Sequence, residues 1–217
     1  MQNAAFANKD ALYYVRLKNW MLALIKDGPN VIMDLGCASG RLGERLREVG
    51  KAEKVYGVEV FAPAAKEAEK TYTTVHVGDL EDMELSYQDY FDYVICGDIV
   101  EHLRDPYRAM ERIYSWLKPG GSILVCVPNV RNYAVLRDLI FRGEWEYVSA
   151  GILDQTHLRF FTSKSCRRML ERAGFEPYHQ QMIVYGPKKN FVNHVTFGLF
   201  AEFLAQQVFW CARKPAR

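Results

Sequence analysis

Paired cysteine chemistry is the first thing this sequence lacks. Its five cysteines, Cys37, Cys96, Cys126, Cys166 and Cys211, form no Cys-x-x-Cys pair and no metal-ligand spacing, so a zinc ribbon and a redox dithiol are excluded and reduced core thiols are expected. Charge of one sign is missing too. Twenty-eight Lys and Arg against 26 Asp and Glu leave a net charge of +2, too small to create a strong field for nucleic acid. Arg131, Arg137, Arg142, Arg159, Arg167 and Arg168 bias the later half toward basic and read as a solvated face. No apolar run reaches the ~20 residues of a membrane span. Even the stretch holding Phe197, Phe200, Phe203, Phe209 and Trp210 is broken by Asn193, His194, Glu202, Gln206 and Gln207. It reads as a helix docking face, with a membrane-surface or homodimer contact as the second reading. Met1 to Asp10 has no basic start followed by an apolar run, so no secretory signal is expected and the cytoplasm is the default compartment. Repeats, low-complexity tracts and long linkers are absent, and 217 residues with 49% hydrophobic content suit one well-buried α/β domain over 1–217.

What is present begins at Val31. The stretch Val31-Ile32-Met33-Asp34-Leu35-Gly36-Cys37-Ala38-Ser39-Gly40 is an apolar strand run that ends in an acid and then breaks into a small-residue turn, and Arg41 to Gly50 has helical periodicity. Val55-Tyr56-Gly57-Val58 is a second strand with Glu59 at its end, which completes a βαβ unit with an acid where a ribose would be held. The dinucleotide fingerprint G-x-G-x-x-G fails twice, because Ala38 and Arg41 occupy its second and third glycine positions. Asp34 would also set a carboxylate near a pyrophosphate, a like-charge contact. A cationic ligand suits this loop better, and an ordinary strand-to-helix turn is the structural alternative.

Asp34-Leu35-Gly36-Cys37-Ala38-Ser39-Gly40 resembles the first motif of the class I S-adenosylmethionine-dependent methyltransferases. Further stretches agree in order and spacing: Val75-His76-Val77-Gly78-Asp79-Leu80 is similar to the end of the family's third strand. Phe91 to Asp98 resembles its fourth, and Trp116 to Val125 its helix end, turn and fifth strand. The resemblance implies a doubly wound, seven-stranded, mostly parallel sheet with the last strand antiparallel. It also implies S-adenosylmethionine as cofactor and S-adenosylhomocysteine as product. By that resemblance Gly36 and Gly40 let the backbone pass close to the methionine part, Asp34 acts at that end, Glu59 takes the ribose hydroxyls, and Asp79 and Leu80 meet the adenine. Cys37, Ser39, Val60, Gly78, Gly97 and Asp98 complete the implied cofactor set.

Tyr13 through Lys26 is expected to form an N-terminal helix, part of a helical cap over 1–30, with Leu17, Met21, Leu24 and Ile25 on its apolar stripe; Tyr13, Tyr14 and Arg16 either close over the cofactor or sit at its boundary. Residues 128–162 depart from the βα rhythm and read as an acceptor-side insertion, helical over Val130 to Phe141. A helix from Ser163 to Ala173, a strand near Tyr178 to Tyr185, a helix near Val192 to Leu204 and a last strand from Gln206 to Ala212 complete the pattern.

An activated methyl group needs an aligned acceptor and, for a hydroxyl, a base. Two histidines have the setting: His102, just after the fourth strand, and His157, in Asp154-Gln155-Thr156-His157-Leu158-Arg159-Phe160-Phe161-Thr162. Asp154 would orient His157 and Arg159 would hold an anionic group on the acceptor. The structural alternatives are a tight helix entry through Asp105-Pro106 for His102, and internal pinning of the 153–162 loop for His157 and Arg159. Asp98, Glu101 and His102 also resemble an E-x-x-E-H pattern that holds a divalent metal in small-RNA 2′-O-methyltransferases and some quinone-pathway O-methyltransferases. Aspartate replaces the first glutamate and the sequence supplies no further ligand, so no metal is assigned. The Leu153 to Thr162 segment is similar to one in bacterial methyltransferases of glycan and secondary pathways, which turns the expectation toward O-methylation of a small molecule or glycan. A cofactor-binding module acting through a partner and an RNA methyltransferase are the alternatives.

Overall fold

The computed structural model describes residues 21–216. Seven strands form one sheet in the order β3-β2-β1-β4-β5-β7-β6: β1 Val31–Leu35, β2 Lys54–Glu59, β3 Thr74–Val77, β4 Phe91–Gly97, β5 Leu117–Pro128, β6 Glu176–Ile183 and β7 Gln207–Arg213. The β1–β2, β1–β4, β2–β3 and β4–β5 pairs are parallel, and β7 runs antiparallel between β5 and β6. The expected doubly wound, seven-stranded sheet with an antiparallel last strand is what forms.

Strand alternation explains both cores. Met33, Val94, Cys96, Ile123 and Val125 face one side, while Ile32, Ile95, Leu124, Phe209 and Cys211 face the other, and all are buried. Helices α1 (Arg41–Glu48), α2 (Ala62–Ala68), α3 (Pro106–Trp116), α4 (Tyr133–Arg137), α5 (Ser163–Arg172), α6 (Pro187–Val195) and α7 (Ala201–Leu204) connect the strands. Leu42 and Leu46 of α1 cover the Ile32 face with Met21, Leu22 and Ile25; Met110 and Ile113 of α3 and Met169 and Leu170 of α5 cover the Met33 face. All five cysteines are unbridged and buried.

Three boundaries differ from expectation. The helix expected over Val192 to Leu204 is split by a turn, because Phe197 and Gly198 both take positive φ, 50° and 77°. The helix expected over Val130 to Phe141 begins at Tyr133, where the Asn132 side chain caps Ala134 N, and passes into a π-helical turn, Asp138–Arg142, closed by Gly143 at φ 69°. Pro119-Gly120-Gly121, expected as a turn, lies inside the start of β5, where pairing with β4 shifts register. Of the expected N-terminal helix, only Met21 and Leu22 are described as helical; Leu17, Tyr13, Tyr14 and Arg16 lie outside the described residues.

Candidate functional site

The carboxyl ends of β1, β2, β3 and β4 open on a cavity of about 270 Å³ lined by Gly36, Ala38, Glu59, Val60, Phe61, Gly78, Asp79, Leu80, Gly97, Asp98, Ile99, His102 and Arg104, among others. Its floor is the first turn. Gly36 N and Cys37 N donate to the Val58 carbonyl, pinning the turn to β2. Glu59 accepts from Ala38 N (2.9 Å, Oε2) and Phe61 N (2.8 Å, Oε1), so it holds both loops while lining the cavity; a carboxylate retains acceptor capacity beyond two such bonds. Gly40 has φ 82°, and a Cβ there would stand 2.8 Å from Ala68 Cα, which makes glycine necessary where α1 crosses α2.

Not every residue expected in the cofactor set faces this cavity. Asp34 is buried beneath the turn and accepts a 2.7 Å bond from Tyr72 Oη, which in turn accepts from Gly43 N. Burial, together with the charge of Asp34, raises the Tyr72 phenol well above its ordinary 10. Cys37 is buried with Val55, Ala68 and Tyr72, Gly40 is buried against α2, and Ser39 is exposed. None of these four lines the cavity: Asp34, Cys37 and Gly40 pack into the frame of the turn and Ser39 faces solvent, while Gly36 and Ala38 face the cavity.

The far wall is a charged clamp. Arg104 pairs with Glu81 and Asp82 and lies 3.6 Å from Asp79, while the backbone N–H groups of Arg104 and Asp105 donate to Glu81. Burial alone would push the Glu81 carboxyl upward; those donors and the guanidinium outweigh it and hold it below the ordinary glutamate value. Asp79 also accepts from Glu81 N, an Asx turn that shapes the loop.

A larger cavity of about 1130 Å³ adjoins, lined by Asp98, Glu101, Asn132, Asp138, Arg142, Asp154, His157, Tyr185, Lys189 and Gln207, among others. Asp98 lines both cavities. It is a non-glycine residue at φ 56°, and Gln207 Nε2 donates to its Oδ1 at 2.6 Å while Tyr185 Oη donates to Gln207 Oε1.

Beside Asp98, the 3₁₀ turn Val100–His102 meets the 153–162 loop: Leu158 N and Arg159 N donate to the Glu101 carbonyl. Glu101 and His157 face the larger cavity, His102, Thr156 and Leu158 the smaller. His157 Nδ1 lies 2.9 Å from the Ile152 carbonyl and His102 Nδ1 lies 3.0 Å from the Thr156 carbonyl. A carbonyl only accepts, so each ring in its neutral form carries its proton on Nδ1 and its lone pair on Nε2. The rings meet edge to face at 4.9 Å, and His157 Nε2 is 3.9 Å from Glu101 Oε1. One ligand-capable atom from each of Glu101, His102 and His157 lies within 4.8 Å of the others. The residue that joins the Glu101-His102 pair is therefore His157, brought in from 55 residues away.

The carboxylate of Asp154 accepts from Thr156 N and Oγ1 and shapes the turn, while the carbonyl of Ile152 orients His157. Arg159 donates to the Arg104 carbonyl and lies outside the lining of both cavities. The loop's anchors are as read in the alternative: Phe161 is core, Phe160 packs on Trp145, and Thr162 caps α5 in a capping box. Asp105 likewise caps α3 ahead of Pro106. Gln207, Tyr185, Tyr72 and Arg104 carry no motif in the sequence; only pairing across the sheet reveals them.

An open sheet with this strand order, an antiparallel seventh strand and cavities over the carboxyl ends defines the class: a Rossmann-like α/β protein of the methyltransferase kind. The methyltransferase-domain family matches residues 9–180, and the chain belongs to it, among the class I S-adenosylmethionine-dependent methyltransferases. S-adenosylmethionine is its cofactor. The chain is 28% identical over 169 residues to a ubiquinone biosynthesis O-methyltransferase of Dinoroseobacter shibae, covering 72% of this chain and 64% of that one. It is 30% identical over 164 residues to the protein of the same name from Nitrobacter winogradskyi, covering 72% and 60%. The match thus spans less than two thirds of either relative. Among solved structures, a SAM-dependent methyltransferase from Archaeoglobus fulgidus shares the fold with a TM-score of 0.65 at 20% identity, covering 94% of this chain and 93% of the other.

Proposed function

We propose that the chain transfers the methyl group of S-adenosylmethionine to a hydroxyl oxygen of a small organic molecule or sugar, with the cofactor in the smaller cavity and the acceptor in the larger. The observation that carries this reading is the junction at Asp98, where the two cavities meet beside two imidazoles whose lone pairs are fixed on Nε2. The larger cavity is of the size that takes a drug-sized molecule. The names of the D. shibae and N. winogradskyi relatives support oxygen as the atom methylated.

In this assignment Glu59 accepts the ribose hydroxyls, Asp79 and Leu80 meet the adenine, and the backbone of Gly36 and Ala38 passes the methionine part toward Asp98. The sulfonium supplies an already activated methyl, so the protein aligns the acceptor opposite the leaving sulfur and removes one proton. His157, which faces the acceptor cavity, is the base; His102, on the cofactor side, positions it. A transfer assay with radiolabelled cofactor and a panel of hydroxylated acceptors tests this. His157→Ala is expected to lower turnover by about 10²- to 10⁴-fold with the cofactor Kd unchanged. An equal loss of cofactor affinity in that variant would overturn the assignment.

Metal assistance is the second reading, favoured by the cluster of Glu101, His102 and His157. One carboxylate and two neutral imidazoles fit a divalent first-row cation, and Asp98 stands three residues before Glu101 in sequence. Such a cation would supply Lewis-acid stabilisation of the acceptor oxygen. Calorimetric titration of chelator-treated protein with Mn²⁺ or Zn²⁺ checks this: saturable binding lost in Glu101→Gln supports it, and no binding removes it.

A further inference from the structure

Among the described residues, several large apolar side chains stand exposed. Phe197 is 98% exposed, Phe141 82%, Leu199 77%, and Ile140 and Phe191 67% each. Phe197 is the sharpest case: a bulky side chain held at φ 50°, a conformation that asparagine or glycine adopts at lower cost. A local rule broken with no compensating packing among the described residues points to a use outside the fold.

These residues come from two segments that leave the sheet at the same end. Pro128 of β5, Gln207 of β7 and Ile183 of β6 are in register across three adjacent strands, so residues 129–147 and 184–204 rise side by side from the carboxyl edge. Lys189 Nζ sits 5.2 Å from the centre of the Tyr133 ring and joins them. Both segments line the larger cavity, through Val135, Asp138 and Arg142 on one side and Tyr185 and Lys189 on the other. The exposed apolar groups therefore flank the cavity that the proposed function gives to the acceptor.

Charge selects the occupant. Arg137 and Arg142 of the turns 133–142 pair with Asp138, whereas the segment from Gly186 to Phe200 carries Lys188 and Lys189 and no acid, so the basic excess of the patch lies there. Glu144 and Glu146 lie on the cavity wall. Separate aromatic and aliphatic tips on helix ends and turns, set among lysine and arginine, match the acyl boundary and anionic headgroups of a bilayer.

We propose that this face docks on an anionic phospholipid surface, setting the mouth of the larger cavity at headgroup depth so that an amphiphilic acceptor enters from the membrane. The source of the acceptor rests on the reading under Proposed function; the docking does not. The test is co-sedimentation of the full chain with vesicles of phosphatidylcholine alone and of phosphatidylcholine with phosphatidylglycerol. Binding to the anionic vesicles that weakens with salt is expected. Phe197→Asn with Leu199→Ser is expected to lower the partition coefficient about tenfold or more, and Lys188→Glu to weaken it further. Cofactor titration of each variant reads folding and the smaller cavity separately, so loss of vesicle binding with an unchanged Kd supports docking even if no acceptor hydroxyl is methylated. No binding of the unaltered chain to anionic vesicles, equal binding by the variants, or a dimer in sedimentation velocity that Phe197→Asn dissociates would each overturn it.

Discussion

Two stretches of the sheet's carboxyl edge face each other across Asp98 and are built by different rules. Residues 34–104 present a cavity through backbone: Gly36 and Ala38 line it directly, and its acids are tied to main-chain N–H groups, Glu59 to Ala38 and Phe61, Asp79 to Glu81, Glu81 to Arg104 and Asp105. Residues 128–207 present theirs through side chains on irregular chain, hung from a few anchors. Asn129 and Asn132 donate to the carbonyls of residues 202–205, Phe161 enters the core, and the stretch 139–151 between them is exposed almost throughout. A fixed ligand can be met by fixed backbone, whereas an acceptor that differs between proteins is met by replaceable side chains.

The most severe way to break this contrast is at the backbone-built side. Gly40→Val forces a Cβ to 2.8 Å from Ala68 Cα at φ 82°, and is expected to cost more than about 3 kcal/mol and abolish cofactor binding, read by urea denaturation and calorimetry. Glu59→Ala removes two main-chain tethers and the proposed ribose acceptor together. A rise in cofactor Kd of about a hundredfold, roughly 2.7 kcal/mol, is expected with the fold retained.

Tyr72→Phe should act on stability and leave the proposed acceptor side alone, costing about 1–2 kcal/mol because Asp34 and Gly43 N lose a buried partner. Its pH signature is distinctive. The folded phenol titrates above the unfolded value of 10, so its share of stability is complete below pH 10 and is lost as pH rises beyond it; the variant should flatten that alkaline limb of thermal melting. The smallest effect is expected from Arg104→Ala. Glu81 is held below its ordinary 4.5, so its contribution is present above that pH and is lost as pH falls toward the depressed value. The variant should move this acid limb upward and raise cofactor Kd modestly.

Much of the fold was legible because the strands obey period two and end on turn residues; Val31–Leu35 and Phe91–Gly97 were read to within a residue. The break at Phe197 was not legible, since nothing in a phenylalanine announces a positive φ. At the site, the motif residues Gly36, Glu59, Val60, Gly78, Asp79, Leu80, Gly97, Asp98, His102 and His157 all line one cavity or the other. Asp34, Cys37, Ser39 and Gly40 share the motif yet lie outside the lining of both cavities, because consecutive residues of one loop cannot all point the same way. Glu101 stood in the sequence as part of a pattern; only the docking of the 153–162 loop set it beside His157.

By itself, the sequence determined the βαβ order, the family and the identity of the cofactor, because these depend on local periodicity and on short motifs that a fixed ligand imposes. The tertiary structure alone decided which carboxylates face a cavity and which hold it up, which carbonyls meet the Nδ1 atoms of His102 and His157, and where the exposed aromatic residues of two distant segments come to lie. Those outcomes depend on partners far apart along the chain, as Gln207 is from Asp98 and Thr156 from His102, and only the assembled sheet with its docked loop brings them within bonding distance.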